Sequence, residues 1–554
     1  MRTEQNKSGR NASRRHPDAG QPVNGTGHRH TRTARRAVPI GRAGRLALVK
    51  NCIGGRWLET GGTFDSINPA TGQLVGRCAK SGADEVESAV SAACAALPAW
   101  RDTPPPRRAE ILYRAAEMLR ERKEELARTI TSEMGKVLAE ARGDVQEAID
   151  MALYMAGEGR RMSGHTVPSE LPDKFCMSVR EPVGVVAAIT PWNFPIAVPS
   201  WKILPALVLG NTVVWKPSSD TPVCAAKFME ILAGAGLPPG VLNLVLGAGA
   251  EIGEALARHR DVRLVSFTGS NKVGQHVSVM AAATGKRCAL EMGGKNAIVV
   301  LNDADLALAV DGIVWSAFGT SGQRCTAASR LLVHGAVREE LTEMLVGRVR
   351  RLKMGSGLDP GVEVGPVVNL GSLEKIDRYV HIGIEEGARL LAGGGRFTKG
   401  ECRHGFFYSP TLFDNVTPRM RIAQEEIFGP VTCLIEVSDL EQAIEINSDV
   451  AFGLVTSIYT RDIGRAFTAM RRFHTGLVYV NAGTIGSEVQ MPFGGTRGTG
   501  NGAREAGQAA LDTFSEWKTI YVDYSGHLQK AQIDGGDRKF GNRKHKSPKT
   551  KGAL

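Results

Sequence analysis

Between the apolar runs Ile313-Val314-Trp315 and Leu331-Leu332-Val333 lies Phe318-Gly319-Thr320-Ser321-Gly322-Gln323-Arg324-Cys325-Thr326, which sets one thiol among small, flexible residues. A substrate can approach a thiol so placed, and the chemistry it offers is nucleophilic, through a covalent intermediate. The reactive form is the thiolate. A free thiol has a pKa of about 8.5, so it needs a nearby cation, base or helix N-terminus, and Arg324 is one source of positive field. Most lone cysteines are inert core residues, and what lifts this one is its company. Upstream stand Leu290-Glu291-Met292-Gly293-Gly294-Lys295-Asn296, a carboxylate before two glycines, and Ile189-Thr190-Pro191-Trp192-Asn193-Phe194-Pro195, an amide bracketed by prolines. Downstream come Glu425-Glu426-Ile427-Phe428-Gly429-Pro430 and Met491-Pro492-Phe493-Gly494-Gly495.

A second kind of chemistry is written in Phe267-Thr268-Gly269-Ser270-Asn271-Lys272-Val273-Gly274, where two glycines five apart follow a strand and open a helix. Backbone N–H groups and a hydroxyl at a helix N-terminus suit a pyrophosphate. Gly247-Ala248-Gly249 also follows a strand, but a lone GxG says little by itself.

In this order and at this spacing the motifs resemble those of the aldehyde dehydrogenase superfamily, and the resemblance runs from about Cys52 to about Tyr524. It implies an α/β fold with a Rossmann-type cofactor domain (51–163 and 182–293), an α/β catalytic domain (294–493) and a small β oligomerisation element (164–181 and 510–525). It also implies a mechanism. Cys325 adds to an aldehyde, Asn193 and the Cys325 N–H stabilise the oxyanion, hydride passes to NAD or NADP, and Glu291 activates water against the thioester. Lys202 and Glu505 resemble the family's proton-relay pair, although the glycine run before Glu505 is one residue longer than usual. For the cofactor the resemblance points to Ile189, Thr190, Trp192, Lys216, Gly249, Phe267, Gly269, Ser270, Gly274, Glu426 and Phe428. Ser219 stands where NAD-preferring relatives carry a glutamate that repels a 2′-phosphate, which leaves both cofactors open.

The elements that must position these groups can be read coarsely. Cys52 to Trp57 reads as a strand and turn; helices are expected over Ala83–Ala96, Arg107–Lys136 and Leu138–Met162. Lys174 to Ile189 reads as strand. Beyond it strands at 212–215, 241–245 and 264–267 alternate with helices at 225–235 and 252–257, the pitch of a parallel sheet covered by helices. A second α/β unit runs from Gly294 to about Phe493, and Phe514 to Val522 reads as a closing strand.

Charge and cysteines limit the remaining function classes. The net charge of +12 is concentrated at the ends: residues 1–50 hold 12 Lys and Arg against 2 acids, and residues 525–554 hold 8 against 2, leaving the body at −4. The basic balance is therefore no sign of a nucleic-acid-binding fold. Residues 1–45 are a basic tail too polar to order itself, lacking the apolar h-region of a secretory signal and the apolar face of a mitochondrial presequence. Residues 526–554 form a second basic tail. Nine scattered cysteines without a CxxC pair argue for reduced thiols, no metal site and a cytoplasmic setting. No stretch approaches the roughly 18 apolar residues of a membrane span.

For the substrate, three features resemble relatives that oxidise semialdehydes with a distal carboxylate, notably the antiquitin-like and succinate-semialdehyde branches. They are Arg324 before the nucleophile, Glu147 in Asp144-Val145-Gln146-Glu147, and the loop Thr484-Ile485-Gly486-Ser487-Glu488-Val489, with Phe493 beyond it. Alternatives remain: Arg324 as an internal ion pair or a thiol-acidifying charge with broad aliphatic or aromatic aldehydes as substrates, a CoA-acylating relative, which Glu291 argues against, or a non-catalytic scaffold. The partners implied are a small aldehyde and further copies of the chain, as a homodimer or homotetramer.

Overall fold

The computed structural model describes residues 48–533, so the expectations for the tail 1–45 and for the stretch past Ile533 fall outside the described residues. Helix α1 (Leu138–Glu158) packs against helices Pro105–Glu121 and Lys123–Met134. From it the chain enters a sheet of short runs buried on both faces, as parallel strands under helices are. These are β1 (Val185–Ile189), then helix α2 (Ala197–Leu209), β2 (Thr212–Lys216), β3 (Leu242–Leu244), β4 (Val262–Thr268), helix α3 (Asn271–Ala282) and β5 (Arg287–Glu291). The order is β5-β4-β1-β2-β3, parallel throughout, with the antiparallel pair Asn51–Ile53 and Arg56–Leu58 added at one edge. The chain steps outward through β2 and β3, then returns to lay β4 beside β1. Sheets of this kind bind ligands beyond the carboxyl ends of their strands at such a reversal. Register delivers the candidate residues to that rim: Ile189 lies opposite Lys216 on one side and Phe267 on the other, and Thr268 lies opposite Glu291.

The second sheet holds β6 (Asn296–Val300), β7 (Ala328–His334), β8 (Arg389–Ala392), β9 (Thr411–Asp414), β10 (Val431–Val437), β11 (Val455–Tyr459) and β12 (Leu477–Val480). Its order is β8-β9-β10-β7-β6-β11-β12, with only β8 antiparallel. Helix α4 (Leu306–Phe318) leads into the Cys325 loop, and helix α5 (Leu370–Glu385) flanks the cleft. A third sheet is antiparallel, joining His165–Pro168, Lys174–Pro182 and Ser515–Asp523.

Several elements depart from their sequence reading. The expected strand Lys174–Ile189 is two strands in different sheets, parted at Val183-Gly184, where Gly184 has φ +123°. The expected helix Arg107–Lys136 is two, broken at Arg122, whose guanidinium bonds Glu125 and Glu230. Helix α1 ends at Glu158, and the next residue, Gly159, lies so close to Pro105 and Ala109 that no side chain would fit there. The first helix continues past Ala96 to Asp102, through Pro98, and a π-turn over Gly249–Gly253 precedes the helix expected at 252–257. Helix α2 was not foreseen. It contains Pro199 and Pro205 and is apolar on nearly all sides, so neither periodicity nor composition marks it. Its first turn is instead anchored from outside, Asp144 Oδ1 accepting from Ala197 N–H at 2.7 Å.

Candidate active site

Cys325 is carried by a turn that elementary sterics disfavours. After α4 ends, Thr320 and Ser321 have φ of 53° and 54° and Gly322 67°, a left-handed run that non-glycine residues rarely adopt. Hydrogen bonds to distant parts of the chain hold it. Thr320 N–H donates to both carboxylate oxygens of Glu140 at 2.9 Å, Ser321 donates to the Gly365 carbonyl at 2.8 Å, and Gln323 Oε1 accepts from Val368 N–H at 3.0 Å. Gly322 is pressed onto the Gly429 carbonyl, where a Cβ would collide. Beyond the thiol, Asn296 Nδ2 donates to the carbonyls of Cys325 and Ala327 at 2.7 and 3.0 Å.

The thiol itself is partly exposed, where two cavities meet. Burial first, then the charges of Glu291 and Glu426, pushes it up to about 12. Arg324 opposes this and is outweighed, so its field does not by itself create a thiolate. Asn193, also at this junction, donates its amide to the Gln323 carbonyl at 3.1 Å.

The first cavity, of about 140 Å³, is lined by all five residues expected on the substrate side: Glu147, Arg324, Gly486, Ser487 and Phe493. Aromatic residues not foreseen as lining complete it. Trp201 meets Phe493 edge to face at 5.0 Å, Phe194 lies under Arg324 with the guanidinium 5.0 Å from its ring centre, and Trp315 stands on the wall half exposed. Nothing in the spacing of these aromatics in the sequence separates lining from core. Burial, then the neighbouring Asp144 charge, pushes Glu147 up to about 8. Ser487 sits 3.4 Å from the Tyr479 hydroxyl.

The second cavity, of about 250 Å³, runs from Cys325 past Trp192, Ser270, Glu426 and Phe428. Glu426 accepts from Gly294 N–H at 3.0 Å, and Gly293 leaves the space its carboxylate fills. Phe428, at φ 60°, meets Trp192 edge to face at 5.5 Å. Ser372 and Lys375 of α5 also line this cavity. They went unseen because a lysine on an amphipathic helix carries no motif.

Along the sheet rim the residues fit a dinucleotide. Ser270 caps α3 without using its side chain and is exposed, which leaves the helix N-terminus open to an anion. Thr268 Oγ1 is buried with no partner among the described residues. Lys216 is buried, lowered to about 8 by that burial, and its Nζ lies 3.6 Å from where a side chain on Gly249 would begin. Thr190 accepts from Trp215 Nε1 at 2.9 Å, and Ser219 is exposed beside them. Gly274 is buried in α3 against Met292 and Phe267, where the absent side chain lets helix and strand approach, and the Phe267 ring lies beneath Gly269.

Behind the thiol, Glu291 ends β5 with both carboxylate oxygens buried and without partners among the described residues. Burial and the Glu505 charge raise its pKa well above the ordinary range, against Lys202 and Arg504. Its Oε1 lies 2.6 Å from where a side chain on Gly494 would start. Lys202, on α2, pairs directly with Glu505 and donates to Ser266 at 3.2 Å. The longer glycine run does not displace Glu505, whose main chain exchanges two hydrogen bonds with Phe493 at 2.8 and 2.6 Å.

Residues 57–520 match the aldehyde dehydrogenase family. The chain is 44% identical over 475 residues to alpha-ketoglutaric semialdehyde dehydrogenase of Bacillus subtilis (strain 168), covering 85% of this chain and 97% of that protein. It is 39% identical over 472 residues to succinate-semialdehyde dehydrogenase [NADP(+)] GabD of Escherichia coli (strain K12), covering 85% and 97%. A crystal structure of betaine aldehyde dehydrogenase from Staphylococcus aureus in complex with NAD+ superposes with a TM-score of 0.85 at 34% identity, covering 87% of this chain and 95% of that one. The chain belongs to the aldehyde dehydrogenase family. It is accordingly an oxidoreductase acting on the aldehyde group, with NAD or NADP as hydride acceptor. No helix among the described residues is long and apolar enough to cross a membrane.

Proposed function

We propose that this enzyme oxidises an acid semialdehyde to the dicarboxylic acid, with Cys325 as nucleophile. The observation that carries the reading is the meeting of the two cavities at Cys325, one holding Arg324 and the other rimmed by Glu426 and Phe428. A thiol raised to about 12 must lose its proton before attack, and Glu291 is a buried base, unpartnered among the described residues, whose charge reaches it. Sulfur then bonds to the aldehyde carbon, and the carbonyl oxygen becomes an anion facing the Asn193 amide and the Cys325 N–H. One such donor is worth about a hundred- to a thousand-fold in rate. Bound NAD(P) supplies the acceptor for the hydride that leaves this carbon. Glu291 next takes a proton from water as its oxygen attacks the thioester; the carbon–sulfur bond breaks and the acid departs. The Lys202–Glu505 pair behind Glu291 passes the thiol's proton onward before water attacks, and the water's proton after it.

The distal carboxylate is assigned to Arg324, supported by the names of the two relatives and by the guanidinium's place in the first cavity. A charge-assisted hydrogen bond of this kind contributes about 1.5–3 kcal/mol, roughly a ten- to hundred-fold preference. The test compares kcat/KM for 2-oxoglutaric and succinic semialdehydes with that for an uncharged aldehyde of similar length, in wild type and Arg324→Met. Wild type should favour the anionic substrates and the variant should lose that preference. Equal loss for both classes would leave a broad aldehyde specificity as the reading.

Ser219, exposed on the ribose side, supports use of NADP beside NAD. The three-stranded sheet, with Trp517, Tyr521 and Val522 exposed, is assigned to homo-oligomerisation, and nine free thiols favour a cytoplasmic setting. The first sheet is assigned to the cofactor domain and the second to the catalytic domain.

A further inference from the structure

Helix α1 presents Glu140, Asp144 and Glu147 at i, i+4 and i+7, one face of the helix. Each has a different task. Glu147 lines the substrate cavity, and Asp144 pairs with the buried Lys136, at 2.9 Å, while bonding the first turn of α2. Glu140 does something the reaction described so far does not use. Its carboxylate receives the Thr320 N–H on both oxygens, the Thr320 hydroxyl at 3.2 Å and the Arg324 Nη2 at 3.3 Å. The Thr320 hydroxyl in turn accepts from Arg324 Nε at 2.9 Å. Glu140 and Arg324 side chains are each only 13% exposed, so water screens this contact little. One side of the guanidinium is thus tied to Glu140 and Thr320, and its central carbon lies over Phe194, whose other cationic neighbour is Lys136, 3.6 Å from the ring centre. Nη1 has no hydrogen-bond partner among the described residues.

We propose that Glu140 is a positioning residue for substrate selection: it fixes the rotation of the Arg324 guanidinium so that the free edge meets the distal carboxylate of the substrate. This rests on the reading of Arg324 as the carboxylate-binding residue. A fork-like donor recognises a carboxylate through its orientation as well as its charge. Without Glu140 the same cation remains, but its donors are no longer held in one plane.

The experiment is a double-mutant cycle of Glu140→Gln and Arg324→Met, read as the ratio of kcat/KM for succinic semialdehyde to that for an uncharged aldehyde of similar length. Glutamine can still accept from Thr320 N–H but gives the guanidinium no anion. Glu140→Gln alone should lower the ratio about tenfold, chiefly through KM of the anionic substrate. In the Arg324→Met background the same substitution should leave the ratio where Arg324→Met alone put it. If Glu140→Gln lowers both substrates equally, or its effect persists undiminished without Arg324, Glu140 only supports the loop and the inference fails while the Arg324 reading stands. If Arg324→Met leaves the ratio at the wild-type value, both fall together. Should Glu140→Gln not give soluble protein, Glu140→Asp, which keeps the charge but withdraws it by one methylene, goes through the same cycle and should lower the ratio in the same direction.

Discussion

At the scale of single residues, the two halves of the reaction depend on protons in opposite places. Cys325 begins as a thiol in a largely enclosed cleft, pushed up to about 12, so acylation needs proton removal and should accelerate as pH rises. Glu291 must be ionised to take that proton. Burial and the Glu505 charge hold its pKa above the ordinary value of about 4.3, so the acid limb of the pH–rate profile should lie well above that of an unperturbed glutamate. Cys325→Ala should form no reduced cofactor, and Glu291→Gln should shift or erase the acid limb. Where acylation in the glutamine variant still outruns hydrolysis, stopped-flow absorbance should also show a burst of reduced cofactor before a slow steady state. An acid limb unchanged by Glu291→Gln would assign it to another group.

At the scale of elements, the loop after β2 bears on cofactor choice. Lys216 sits at the strand end with Asp220 the cation's main charged neighbour, while Ser219 between them is exposed and neutral. On the proposed ribose-side placement of Ser219, Ser219→Glu sets a carboxylate against a 2′-phosphate, so kcat/KM for NADP should fall tenfold or more while that for NAD changes little. An NADP rate that survives the substitution would show that the loop does not read the phosphate. How much of these elements was legible in the sequence follows from what each depends on. The strands β1, β2 and β4 announce themselves because β-branched, doubly buried runs between turns are a local property. The strand-to-helix turn at 267–274 is local in the same way, whereas the packing of Gly274 on Met292 joins segments apart in the chain. Helix α2 was invisible because its stability is non-local, resting on complete burial and on Asp144 from another helix. Lys375 and Glu140 were invisible too: one lines a cavity and the other bonds Thr320 and Arg324 from far away in the chain, and nothing in its own neighbourhood marks either.

At the scale of the whole molecule, every residue lining the two cavities lies between Glu147 and Glu505. Removing residues 1–45 should therefore leave kcat and KM within about twofold of the full chain, measured on purified protein alongside its thermal midpoint. Loss of active protein on that truncation would give the basic segment a part in the folded enzyme. Gly322 carries a consequence at this scale as well. Its bare α-carbon rests on the carbonyl of Gly429, the residue after Phe428, so the peptide that leads into the nucleophile and the peptide that floors the cofactor cleft lie in direct contact. A side chain at position 322 would have to push the Gly429 carbonyl aside, so a substitution there should disturb the nucleophile's loop and the cofactor cleft together.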